Sequence, residues 1–277
     1  MAEEKQSHSS SLRGEDMKSN YLIYEENAGI AYIKLNNPQQ KNSLTDELTQ
    51  EMVELFRSLN ERNDIKVILL SAVGDVFSAG GNLKAFEKDI ELSPAQHYLR
   101  LRKSLELFKS INVLHKPLII GVNGPAFGGG VGLVAAGHLA VASDKAVFGL
   151  TEINLGLAPF VIYPMIKEAV GSKKALELML TAEKFSATQA LEFGLVNKVV
   201  PAESLERTLW EYGERYARLS SLSIDLALKI HNLNREVDFD KMAEIMGVYR
   251  IIAFTSQDLK EGINSFMEKR PAKFTGV

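Results

Sequence analysis

The run Pro117-Leu118-Ile119-Ile120-Gly121-Val122, followed by Asn123-Gly124-Pro125-Ala126-Phe127-Gly128-Gly129-Gly130-Val131-Gly132, decides how the rest of the chain is understood. A buried strand leads into consecutive glycines and then into the apolar Leu133-Val134-Ala135-Ala136. That order describes strand, tight turn and helix, with uncovered backbone amides at the helix N-terminus. Two uses of the turn are open. The glycines can serve only to bring a helix close to a sheet. Alternatively, the amides and the helix dipole stabilise an anion, either a bound phosphate or an oxyanion formed during a reaction. Nucleotide signatures do not fit: counted from Gly124, Gly130 and Val131 stand where G-x-x-x-x-G-K-[ST] needs Lys and Ser/Thr, and Gly128, Gly130 and Leu133 fail G-x-G-x-x-G.

Toward the N-terminus, Ile65-Lys66-Val67-Ile68-Leu69-Leu70 is a second buried strand, running to a second small-residue turn, Phe77-Ser78-Ala79-Gly80-Gly81-Asn82-Leu83. A helix from about Pro94 to Ser110, with Tyr98, Leu101, Leu105 and Phe108 on one face, separates the two turns. Earlier, Ser43-Leu44-Thr45-Asp46 fits a capping box for a helix with apolar Leu48, Met52, Leu55, Phe56 and Leu59. The strands Tyr21–Tyr24 and Ile30–Leu35 meet through Asn27-Ala28-Gly29 as a hairpin. Toward the C-terminus come strands at Leu139–Ala142 and Ala146–Gly149, the loop Leu150–Leu157, helices at Ile162–Val170, Lys173–Leu180 and Ala187–Phe193, and a last strand at Val196–Val200. Helices at about Ala202–Leu219, Ser223–Asn234, Lys241–Phe254 and Gln257–Phe266 close the chain. Strands alternating with helices predict an α/β fold with binding loops at one end of the strands. The expected division is a disordered tail over 1–20, poor in large apolar side chains, a core over 21–200 and a helical region over 201–277.

At 277 residues, 45% hydrophobic and 24% charged, the chain is long enough to bury a sizeable core. A formal net charge of −3 argues against nucleic acid or an anionic membrane as the main partner. Zero cysteines exclude disulfides, thiolate metal ligands and cysteine nucleophiles. No apolar run reaches the roughly 18 residues of a membrane span. Residues 1–20 lack the apolar core of a secretion signal, and their Glu3, Glu4, Glu15 and Asp16 do not suit a transit peptide, so the expected location is cytoplasmic.

Four motifs in order carry a resemblance: Ile33-Lys34-Leu35-Asn36-Asn37-Pro38 with Asn42-Ser43-Leu44, then Phe77–Leu83, then Asn123–Gly130, then Phe148-Gly149-Leu150-Thr151-Glu152-Ile153-Asn154-Leu155-Gly156. Together, over about residues 21–275, they resemble the enoyl-CoA hydratase/isomerase (crotonase) superfamily. The resemblance implies an α/β spiral of repeated strand–strand–helix units, a C-terminal helical trimerisation region, and a homotrimer or dimer of trimers. It also implies an acyl-CoA thioester substrate and neither metal nor redox cofactor, coenzyme A being part of the substrate. The backbone N–H groups of Gly81 and Gly129 resemble the family's oxyanion-hole donors, and Ala79 part of the wall around CoA. Lys41, Lys84, Lys269, Arg270 and Lys273 are the basic candidates for CoA, the tail residues reaching it from a neighbouring subunit in the family pattern.

The acid–base residues depart from a standard hydratase. Hydration in this family typically uses two carboxylates around one water. Glu152 matches the second; Gly132, without a side chain, stands at the first. Relatives with only the later Glu include isomerases, which remove a proton at C2 and return it at C4. The apolar tract Leu155-Gly156-Leu157-Ala158-Pro159-Phe160 also looks more like that group, and suits an acyl-pocket wall. Asn82 and His138 stand where many relatives have Asp. His138 is read as structural and Asp144 as a turn residue. Three readings result: an isomerase working through Glu152; a hydratase, dehydratase or decarboxylase on a particular acyl-CoA; and a CoA-ester-binding scaffold without turnover.

Overall fold

The computed structural model describes residues 19–233 and 238–277, so the expected tail over 1–20, except Ser19 and Asn20, lies outside the described residues, as does Asn234. Strand side chains divide between two apolar layers. Along β2 (Ile30–Leu35) and β3 (Val67–Ala72), Ile33, Leu35, Ile68 and Leu70 join one layer, and Ile30, Tyr32, Val67 and Leu69 the other. Strands buried on both faces require helices on both sides. The main sheet runs in the order β1 (Leu22–Asn27), β2, β3, β4 (Leu118–Val122), β6 (Leu139–Ser143), β9 (Lys198–Val200), with β1 antiparallel to β2 and the other pairs parallel. A second, smaller sheet joins β5 (Ala126–Phe127), β7 (Val147–Gly149) and β8 (Phe185–Ser186). Single bridges from Ser78 to Ala126 and from Leu44 to Gly81 extend this layer toward the N-terminus.

Four of the six main-sheet strands, β2, β3, β4 and β6, are each followed by a short second-layer segment and then by helix. The units are β2, Leu44, α1 (Asp46–Glu61); β3, Ser78–Gly81, α2 (Leu83–Asp89) and α3 (Pro94–Asn112); β4, β5, α4 (Gly129–Ala136); and β6, β7, α5 (Tyr163–Val170) and α6 (Ser172–Thr181). The architecture is the expected α/β spiral of β-β-α units. The larger layer is filled by Leu48, Met52, Leu55, Phe56 and Leu59 of α1, by Leu107, Phe108 and Ile111 of α3, and by Val131, Leu133 and Val134 of α4. After α7 (Ala187–Phe193) and β9, helix α8 (Leu205–Ala217) sets Leu205 and Leu209 against the opposite face. It packs so closely that a Cβ on Gly121 would lie 2.3 Å from Leu209 Cδ1. The chain ends in α9 (Ser221–Leu233), α10 (Phe239–Thr255) and α11 (Gln257–Met267).

Several local expectations change. Helix α1 is capped by Thr45, whose Oγ1 accepts from Leu48 N, and not by a box at Ser43. The reason is that Leu44 N donates to Gly80 O, which ties the chain into the second layer until residue 44. The expected buried face of α3 also fails in its first half: Tyr98 and Leu101 are exposed, and burial begins at Leu107. Arg100, Lys103 and Ser104 of that half line an open cleft instead of a packed layer. The hairpin, by contrast, forms as expected, with Ala28 and Gly29 at φ 49° and 81° between β1 and β2.

Candidate active site

Both small-residue turns end at the same place, drawn together by backbone contacts. Phe77 N donates to Pro125 O, Phe127 N to Ser78 O, and Ala79 N to Lys41 O, at 2.9–3.0 Å. Ser78 Oγ donates to Asn42 O, and buried Asn42 donates to the carbonyls of Val73 and Val76, which braces the first turn from behind. Gly80 adopts φ 79°, and a Cβ there would lie 2.4 Å from Phe127 O and 2.8 Å from Gly129 N. No side chain fits this contact. Because Gly129 opens α4, its N–H is one of the first-turn amides that no residue of its own helix can accept. Gly81 and Gly129 both line a cleft of about 1370 Å³. Two donors of this kind, beside a helix N-terminus, can hold a developing oxyanion.

Glu152 reaches the same point from the loop after β7. A Cβ on Gly128, which has φ 49°, would lie 2.9 Å from Glu152 Oε1. Any side chain at residue 128 would displace the carboxylate. Glu152 Oε2 is buried and has no hydrogen-bond partner among the described residues. Burial raises the carboxyl above its usual range, only partly offset by the residue's own backbone N–H. A buried carboxylate oxygen without a hydrogen-bond partner, on a carboxyl raised by burial and lining a cleft, marks a candidate for acid–base chemistry.

The cleft brings together Gly81, Gly129, Glu152, Ala79, Lys41 and Lys84 from the sequence reading, along with Leu155, Leu157, Ala158, Pro159 and Phe160 of the apolar tract. Lys269 does not line it; that residue follows the end of α11. Arg270 is engaged with Glu261 and Glu268, and Lys273 N with Glu261. Asn82 caps α2 by accepting from Lys84 N, His138 Nδ1 accepts from Leu118 N, and Asp144 Oδ1 accepts from Ala202 N, so all three have structural partners. Phe86 was not foreseen: a Cβ on Gly81 would lie 2.4 Å from its Cζ, so its ring covers the Cα side of that residue. The helix cap at Asn82 was the available signal, because it places residue 86 one turn into α2.

The family model described as enoyl-CoA hydratase/isomerase matches residues 25–277. A crotonyl-CoA hydratase from Syntrophomonas wolfei is 30% identical over 91% of this chain and 97% of its own. A trans-2-decenoyl-[acyl-carrier-protein] isomerase from Streptococcus mutans is 28% identical over 92% of this chain and 98% of its own. The crystal structure of an enoyl-CoA hydratase/isomerase from Cupriavidus metallidurans superposes with a TM-score of 0.88 at 26% identity, covering 94% of this chain and 98% of that one.

Proposed function

The chain belongs to the enoyl-CoA hydratase/isomerase family, and on that premise we propose that it shifts the double bond of an enoyl-CoA, with Glu152 as its acid–base group. The observation that carries this reading is the buried, unpartnered Oε2 of Glu152, whose carboxylate lies against Gly128, together with a glycine at residue 132 that offers no second carboxylate. In a 3-enoyl-CoA the Glu152 carboxylate takes the proton from C2. The C–H electron pair delocalises through C2 into the thioester oxygen, which the N–H groups of Gly81 and Gly129 hold as a dienolate. The same proton then returns to C4, the C3=C4 pair forming the new C4–H bond and C2=C3 closing as the enolate collapses. Composition is unchanged, and no cofactor beyond the CoA carried by the substrate is needed. One donor of such a pair supplies about 3 kcal/mol of barrier lowering.

Ala79, Lys41 and Lys84 line the same cleft; in this reading they hold the CoA portion, the lysines pairing with its phosphates. Lys269 would join them only from another copy. The exposed apolar side chains Val248, Ile251 and Phe254 of α10 and Ile263 and Phe266 of α11 favour such self-association, as a trimer or dimer of trimers, which sedimentation equilibrium measures directly.

The deciding experiment incubates the protein with 3-enoyl-CoA and 2-enoyl-CoA of several chain lengths in deuterated water, with mass spectrometry of the products, beside Glu152→Gln. Double-bond migration that falls by about 10²–10⁴ in the variant is the expected result. Conversion of 2-enoyl-CoA to 3-hydroxyacyl-CoA would replace this reading with hydration, as the hydratase among the relatives suggests. Tight CoA-ester binding with neither turnover nor exchange would make the protein a scaffold.

A further inference from the structure

Helix α4 presents Gly132 to the start of α5, and no side chain fits between them. A Cβ on residue 132 would lie 2.3 Å from Ile162 Cγ2 and 2.8 Å from Ile162 Cβ, with Phe108 Cζ at 3.4 Å. Contacts below 3 Å cannot persist, so one of the two residues must stay small. Ile162 is buried, immediately precedes α5, and forms the cleft wall together with Phe108. The route by which a side chain from residue 132 would reach the cleft is therefore filled by branched hydrocarbon.

We infer that Ile162 is a specificity-determining residue: paired with Gly132, it fills the place of a second acid–base group and of the water such a group would hold, and so directs the site toward proton transfer and away from hydration. The inference rests on the single-carboxylate reading of Glu152. Hydration forms a C3–O bond from water; one water proton is delivered to C2, the other remains on the hydroxyl, and the C2=C3 pair becomes the new C2–H bond by way of the enolate. The attacking water must be fixed over C3 and lose a proton, and an ordered buried water makes about three hydrogen bonds. Glu152 Oε2 supplies one acceptor there, while Ile162 and Phe108 supply none. A double-bond shift makes the opposite demand. One carboxylate performs both transfers, and a dry wall keeps the abstracted proton from exchanging before it reaches C4.

The test compares the wild type with Ile162→Gly, Gly132→Glu and the double variant, reading thermal midpoint, 3-hydroxyacyl-CoA formation from 2-enoyl-CoA, and migration from 3-enoyl-CoA. Gly132→Glu alone is expected to lower the midpoint by several degrees, and adding Ile162→Gly to recover much of that loss. The double variant should hydrate about a hundredfold faster than the wild type, the lower end of what a positioned acid–base group contributes. A folded double variant that hydrates no faster overturns the inference, as does a wild type that already hydrates as fast. Wild type that moves no double bond, with hydration gained in the double variant, would instead remove the isomerase reading and leave the role of Ile162 standing. Should the double variant not fold, Ile162→Ala alone decides: it should raise the share of solvent deuterium delivered to C4, and unchanged incorporation overturns the inference.

Discussion

Under the proposed mechanism, Glu152 sets activity and stability against each other. Its carboxyl is raised by burial, so the folded protein holds this proton more tightly than the unfolded chain does. The stabilisation from the protonated form is present below the unfolded value of 4.5 and is lost as pH rises through the folded one. Proton abstraction needs the ionised form and gains over the same interval. The thermal midpoint should therefore fall, and kcat/KM rise, as pH increases above 4.5; Glu152→Gln should lose both dependences and melt higher than the wild type at neutral pH. Lys116 shows the complementary case away from the site. It is buried, with Nζ donating to Asn60 O, and burial, with the neighbouring Lys66 charge, pulls its ammonium from 10.5 down to about 8. Between those values the unfolded chain binds the extra proton, so stability rises with pH from 8 to 10.5. Lys116→Met should flatten that rise in pH-resolved melting and stabilise the protein at neutral pH by up to about 3 kcal/mol, the ceiling set by the gap between the two values.

At the level of elements, what the sequence conveyed depended on length. The long strands and helices are marked by apolar runs and by spacing: Leu48, Met52, Leu55, Phe56 and Leu59 are all buried on α1 as their period requires. The second-layer strands β5 and β8 have two residues each, too few for any period, and they exist only because neighbouring turns offer them partners. Helix α3 shows the converse failure. Its apolar period continues through Tyr98 and Leu101, but the helix runs out beside a cleft, where no layer receives them. The site divides in the same way. Glycines at 80, 81, 128 and 129 and the loop glutamate are visible as residue types, whereas Ile162 against Gly132 joins segments from separate units and is a fact of packing alone. The β1–β2 turn offers an independent check on local reasoning. Ala28 holds φ 49°, a left-handed conformation costing a non-glycine residue roughly 1–2 kcal/mol, and it precedes Gly29 as Asn commonly does in this turn. Ala28→Asn should raise unfolding free energy by about 0.5–1 kcal/mol in urea titrations.

Across the whole molecule, the C-terminal segment is held by two carboxylates, Glu261 binding Arg270 and Lys273 N and Asp258 binding the last residues. Asp258, at the start of α11, is buried and accepts from Thr275 N, Thr275 Oγ1 and Gly276 N, while its own N–H donates to Val277 O. Burial acts to raise this carboxyl, but hydrogen bonds from Ser220, Thr275 and Gly276 together outweigh it and hold it below 3.8. The stabilisation is thus present above 3.8 and is lost as pH falls through the lower folded value. Asp258→Ala should cost about 2 kcal/mol and expose residues 275–277 to rapid hydrogen exchange, with Lys273 N, held by Glu261, and the amides around Gly129 keeping their protection.

The contact between residues 132 and 162 also has a historical side. Under the inferred role of Ile162, a lineage that exchanges one reaction for the other cannot change these two positions in either order. Enlarging residue 132 first meets Ile162 at 2.3 Å and yields a less stable chain. Shrinking residue 162 first leaves a passable intermediate, a slightly loosened ancestor with a vacancy that a later substitution can occupy. Descent between the two chemistries is thereby given a direction, and surviving sequences should preserve small–small pairs as stepping stones while large–large pairs are missing.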